Sequence, residues 1–198
     1  AALVEGVAGT EGVRGTPRDA ERVLRQGRVL RIGLARAVGE RHRQTLLAAV
    51  GLGRLQVEVG ANQVILLIDL GARQHRLGGS ILAQVSGAFG VQVPDLDSPG
   101  DLVALVEAVN ALRERGIIAA YHDRSDGGLW AALCEMAFAG GRGIDIDLSS
   151  LVDGATGAPA AALFAEELGA LLAIPAERTT EALAILDRHG LAAASHVL

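Results

Sequence analysis

AAYHDRSDGGLWAALCEMAFAGG, residues 119–141, sets an imidazole, two carboxylates, a guanidinium, a hydroxyl and two adjacent glycines between an apolar run and an amphipathic stretch. Upstream, Ile117 to Tyr121 reads as a strand, with HDRSDGG (residues 122–128) following it directly. Downstream, Leu129, Leu133, Met136 and Ala137 recur at helical spacing, so LWAALCEMAFAG reads as a helix packed on a core. A strand-to-helix turn leaves the first N–H groups of the helix unpaired, and the helix dipole favours an anion there. Gly127 and Gly128 remove the side chains that would block a ligand from those N–H groups. Asp123 and Asp126 would repel a bare phosphate, but a hard oxygen ligand such as Asp can hold Mg²⁺, which bridges phosphate oxygens. The motif therefore suggests a magnesium–phosphate site better than a bare anion site. The alternative stays open that Ser125 or Asp126 is an ordinary helix N-cap and Asp123 a turn former. His122 reads equally as a structural histidine or as an acid–base group.

Outward from the motif the elements alternate. Val64 to Leu70 (VILLIDL) is a short apolar run suited to a buried strand, and Ser80 to Phe89 reads as a short helix. SPGDLVALVEAVNALRERG starts a helix at Ser98-Pro99, places Leu102, Leu105, Val106, Val109 and Leu112 on one stripe, and stops at Gly116. GIDIDL (143–148) alternates, so Asp145 and Asp147 read as the solvated face of an edge strand. Leu168 to Ile174 is a further strand, and Thr179 or Thr180 can cap a final helix through Leu183, Ile185 and Leu186 that Gly190 ends. The pattern predicts an α+β fold in which helices cover a mixed β-sheet.

The N-terminal part reads differently. The first eighteen residues are glycine-rich and suggest a flexible lead-in, and a helix over Asp19 to about Val50 would place Val23, Leu30, Leu34 and Val38 near one face. Residues 1–60 carry ten Arg against six acids, whereas the rest carries eight Arg against seventeen. This shift sets the division expected here: an Arg-rich, partly helical or flexible segment over 1–61 and an α+β domain over 62–198. Nine arginines fall between Arg14 and Arg43, but Asp19, Glu21 and Glu40 are interspersed and aromatics are not. That stretch therefore reads as a solvated helix face, and no nucleic-acid partner is expected.

Composition narrows the chemistry. Of the 198 residues, 50% are hydrophobic, enough for a real core. No run is long and apolar enough to cross a bilayer, and no secretory signal is evident, so a cytoplasmic protein without membrane association is expected. Cys134 is the only cysteine and lies mid-helix, as a small core residue would. All eighteen basic residues are Arg; the chain has no Lys. A Walker lysine, a Schiff-base lysine and a lysine general base are thus excluded from this chain, and a phosphate would be held by Arg, by backbone N–H groups or through a metal. Glu166 and Glu167 precede an apolar run and read as paired surface glutamates, with the alternative that one faces a cleft.

LLIDLG, LGGSILAQV, AAYHDRSDGGLWAALCEMAFAGGRGIDIDL and AALFAEELGALLAI, in this order and at these spacings, resemble the large form of phosphoribosylformylglycinamidine synthase, also called formylglycinamide ribonucleotide amidotransferase. The resemblance covers about residues 62–198 and is to the C-terminal subdomain of the second of two repeated synthetase halves. It implies the fold of the C-terminal domain of the aminoimidazole ribonucleotide synthetase superfamily. It further implies a ligase activity in purine biosynthesis: ATP activates the amide oxygen of formylglycinamide ribonucleotide, and ammonia from glutamine displaces the phosphate. By the same resemblance Asp123 would be a magnesium ligand and Ser125 a nucleotide contact, with ATP or ADP and Mg²⁺ as cofactors; Gly127 and Gly128 complete the expected nucleotide-binding set. No residue of this chain is expected to be catalytic. No stretch matches the other synthetase half or a glutaminase triad, so the chain is expected to be a fragment that works with those domains as partners and is inactive alone. Two other readings are a stand-alone ATP-using small-molecule kinase or synthetase and a noncatalytic interaction module.

Overall fold

VILLIDL is apolar at every position but one because the strand it forms is covered on both faces. The structure, a computed structural model, describes residues 3–5, 29–33, 62–152 and 159–198. Strand β3 (Gln63–Asp69) lies inside a four-stranded sheet with β4 (Ala120–Asp123), β6 (Gly169–Pro175) and β7 (Ser195–Val197), in the order β4-β6-β3-β7. Ile65 and Leu67 face one core, shared with Leu171, Ala173 and the buried side of helix α3 (Gly128–Gly140), together with Ala162 and Leu163 of α4 (Pro159–Phe164). Leu66 and Ile68 face the other, shared with Leu172, Ile174, helix α2 (Pro99–Glu114) and helix α5 (Thr179–Arg188). Helix α1 (Ile81–Ser86) follows β3, with the Ser80 hydroxyl accepting from Ala83 N at its start.

This is the α+β architecture expected, and it narrows the mixed sheet: every pairing among the described residues is antiparallel. Strand β5 (Ile144–Asp147) buries Ile144 and Ile146 and exposes Asp145 and Asp147, as its alternation requires. It forms the edge of a second sheet with β2 (Val29–Gly33) and β1 (Leu3–Glu5).

Several local expectations are corrected. Strand β4 begins at Ala120, not Ile117, and runs through Asp123, so the first two residues of HDRSDGG belong to the sheet. Ile117 instead closes α2: its N–H donates to Leu112 O after Gly116 turns left-handed. The buried stripe of α2 runs through Leu105, Ala108 and Leu112, while Leu102 and Val106 are exposed. Small Ala108 lies fully buried on the contact line, which turns Leu102 and Val106 away from the sheet. Thr179 does not cap α5; it is the first helical residue, and its hydroxyl donates back to Ala176 O. Residues 29–33 are a strand, not helix, with Leu30 paired to Ile146. Val29 and Ile32 are β-branched and Gly27 and Gly33 flank them, which favours extended backbone. Residues 3–5 are likewise paired strand rather than lead-in; the rest of the N-terminal readings lie outside the described residues.

The corrected stripe has a measurable consequence. Leu112, at 0% exposure, should lose about 2–5 kcal/mol of stability when replaced by Ala, whereas Val106→Ala, at a position 54% exposed, should stay within about 0.5 kcal/mol. Urea midpoints at constant slope report both; a larger loss for Val106→Ala would restore the original stripe.

Candidate functional site

Antiparallel register brings three chain segments together at one end of the four-stranded sheet. Asp69, the last residue of β3, pairs with Gly169, and Asp123, the last of β4, pairs with Ala170. Arg124 follows β4, and its N–H donates to Gly169 O over 2.9 Å. Its side chain turns inward and is 1% exposed. There Nε donates to Glu167 O, and Nη2 donates to Leu168 O at 3.1 Å and to the Asp69 carboxylate.

Asp69 is held from its other side by the loop that follows it. Its two oxygens accept from Gly71 N at 3.2 Å and Arg73 N at 2.7 Å. Burial alone would raise the Asp69 carboxyl, but the Arg124 charge and the hydrogen bonds from Arg124, Arg73 N and Gly71 N outweigh it and hold the group below its ordinary value. Glu167, 0% exposed, grips the same loop: its carboxylate accepts from Arg76 N and Nε at 2.8 Å and from Nη2 at 2.7 Å. Arg76 extends the network outward to Asp97 Oδ1 and to Asp95 O, each at 3.1 Å. The reading of Glu166 and Glu167 as surface glutamates is therefore wrong. Glu167 is buried as the partner of Arg76, and Glu166 Oε1 accepts from Ile81 N at 2.9 Å and Gly127 N at 2.8 Å.

On the outer side of Arg124 lie the residues singled out by sequence. Asp123 and Ser125 flank the buried arginine and are exposed, as is Asp126. Tyr121 donates its hydroxyl to Asp123 Oδ1; burial and then this contact push the phenol above its ordinary value. Among the described residues, neither Ser125 nor Asp126 makes a side-chain hydrogen bond, and the N-cap of α3 is Gly127, with no side-chain cap. The ordinary-cap alternative for Ser125 and Asp126 is thereby excluded. Gly127 and Gly128 both have positive φ, and a Cβ on Gly128 would stand 2.7 Å from Ala165 O. Backbone geometry alone thus requires glycine at Gly128, whose N–H donates to Ser125 O. His122 contacts Glu135 Oε2 through Nε2 at 2.7 Å and Asp123 O through Nδ1 at 2.6 Å. Cys134 is core, as expected: burial, with Glu135 adding to it, pushes its thiol up to about 11.

Asp69, Arg76 and Arg124 were not foreseen, and Glu166 and Glu167 were singled out only as surface glutamates, with the alternative that one faces a cleft. One signal was available: a lone acid in VILLIDL, at a position destined for burial, demands a cationic partner. Among the described residues, no group of three or more His, Cys, Asp or Glu side chains could hold a metal by itself, and no helix is long and apolar enough to cross a membrane.

A family model described as AIR synthase related protein, C-terminal domain, matches residues 60–197. The chain belongs to this family. Solved structures similar to this chain include Thermotoga maritima PurL complexed with ATP, at 18% identity and TM-score 0.48. Others are phosphoribosylformylglycinamidine synthase II from Thermotoga maritima, at 18% and 0.47, and PurLQS from the same organism, at 19% and 0.47. Each match covers 69% of this chain and 21% of the other, so the chain spans about a fifth of the length of these proteins.

Two predictions follow from the buried charges. Arg124→Met leaves Asp69 buried without its cation and should cost about 3–5 kcal/mol in urea unfolding. A loss under about 1 kcal/mol would show that Arg124 does not hold the domain together. Acid should act in two stages. Burial pushes the His196 imidazole below its ordinary 6.5; the Asp69 charge opposes this, and those of Arg73, Arg124 and His75 reinforce it. A depressed folded value means stability that is complete above the unfolded value and lost as pH falls through the folded one. Stability should therefore decline below about pH 6.5 through His196, and again below about 3.8 through Asp69. In His196→Gln the first decline should flatten while the second persists.

Proposed function

We propose that this chain supplies the magnesium–nucleotide subdomain of a large-form phosphoribosylformylglycinamidine synthase, which amidates formylglycinamide ribonucleotide at the expense of ATP and glutamine in purine biosynthesis. Membership of the AIR synthase-related family and the order of the resembling blocks support this reading. The observation that carries it is the arrangement around Arg124. The four quoted blocks fold onto one another through Asp69, the Ile81 N–H, Arg124, Glu166 and Glu167, and they leave Asp123 and Ser125 exposed on either side of the clamp.

Magnesium fits this geometry as an ion that arrives with a nucleotide. Mg²⁺ commonly keeps its waters and takes one or two protein carboxylates plus phosphate oxygens. Asp123 offers such a carboxylate: Tyr121 occupies Oδ1, and Oδ2 makes no hydrogen bond among the described residues. Bound there, the ion would neutralise phosphate charge; Asp123 would hold it, the Ser125 hydroxyl would contact the nucleotide, and the Gly127–Gly128 turn would set their spacing. None of these residues moves a proton in the reaction. Amide activation and ammonia delivery belong to the other synthetase half and to a glutaminase, the partners this chain would require, in the cytoplasm.

Isothermal titration of the 198-residue chain with ADP and Mg²⁺ tests the reading. Asp123→Asn should weaken binding about tenfold or more, and Ser125→Ala severalfold, with unfolding midpoints unchanged. Identical affinities in all three proteins would overturn the assignment.

A further inference from the structure

We infer that Glu166 is a positioning and specificity residue that makes the proposed nucleotide site depend on a divalent cation; the inference rests on the reading just given. A glycine turn leading into a thirteen-residue helix would ordinarily attract a bare anion, since helix N-termini carry roughly half a positive charge and unpaired N–H groups. In this fold a side chain from a distant segment has taken that place. Glu166 lies in the connection between α4 and β6, and its Oε1 accepts from Gly127 N at 2.8 Å. The same oxygen accepts from Ile81 N, at the start of α1, at 2.9 Å. The next N–H, that of Gly128, is donated to Ser125 O. A full negative charge thus stands at the start of α3 and offsets the helix dipole, and exposed Asp123 and Asp126 add two more nearby in the chain.

A phosphate approaching this turn meets carboxylates at the position where backbone amides would otherwise have received it. Only a phosphate whose charge is already offset by a cation can approach, and Asp123, whose Oδ1 alone is taken by Tyr121, offers a carboxylate oxygen to that cation. Glu166 touches neither ion nor nucleotide in this account; it acts by holding the turn and by its charge. Its half-buried position, with Oε2 making no hydrogen bond among the described residues, keeps that charge close to the approaching group.

Glu166→Gln separates the two roles, because the amide oxygen still accepts from Gly127 N and Ile81 N while the charge is gone. ADP affinity of the full chain is measured by titration calorimetry with Mg²⁺ and with EDTA, alongside a thermal melt and a phosphorus resonance titration with inorganic phosphate. Wild type should lose at least about tenfold in ADP affinity on removal of Mg²⁺ and leave the free phosphate signal unbroadened. Glu166→Gln should melt with wild type, cut that ratio to about threefold or less, and broaden the phosphate signal without metal. An unchanged ratio in a folded Glu166→Gln variant would overturn this role of Glu166 while leaving the nucleotide site standing. Absence of ADP binding by wild type under either condition would overturn the nucleotide reading and this inference together.

Discussion

A guanidinium removed from water must find acceptors for its donors, and the meeting of three strands in this domain is organised by one that does. Arg124 directly follows β4 and delivers its charge to Asp69 at the end of β3, while its Nε takes Glu167 O and its Nη2 also takes Leu168 O, just before β6. Each of these acceptors lies at the end of an element that hydrophobic packing has already placed. The clamp therefore adds direction where burial adds only attraction: it fixes how far β3, β4 and β6 run before the chain turns away.

The same charges hold a loop that would not hold itself. Ala72, Arg73 and His75 all have positive φ, a conformation that costs a residue with a Cβ about 1–3 kcal/mol. Asp69 and Glu167 accept the backbone N–H groups of Arg73 and Arg76, so two buried carboxylates offset the strain at either end of the turn. Gly71 belongs to this arrangement, because a Cβ there would stand 2.6 Å from the Glu167 side chain. Strain, buried acid and missing side chain are thus parts of one local solution.

Outside the clamp the balance changes. Arg124 is consumed inside, so the outer side of HDRSDGG is left with acids, a hydroxyl and a turn whose leading N–H is already bound by Glu166. Asp123 and Asp126 leave this surface with negative charge, which is why the chemistry proposed for it runs through a divalent metal. The absence of lysine from the chain makes this more pronounced, since no flexible ammonium can reach in to replace the ion.

Much of the fold was legible along the chain. The run of VILLIDL, the alternation of GIDIDL and the helical spacing after Gly128 each depend on which side chains face a core, and that pattern is local. The strand-to-helix turn at HDRSDGG, though its first two residues belong to β4, and the buried Cys134 were legible for the same reason. The stripe of α2 was not, because whether Val106 or Ala108 meets the sheet depends on the rotation of the packed helix. Arg124, Glu166 and Glu167 were hidden more deeply. Taken singly, each is a charged residue that sequence alone assigns to solvent; each has a structural role only because register sets Asp69 opposite Gly169 and Asp123 opposite Ala170. Sequence by itself determined which segments bury and which turn; tertiary structure decided which charges go inside, because the ion-pair partners of Asp69 and Glu167 lie 55 and 91 residues away in the chain and only folding brings them within a hydrogen bond.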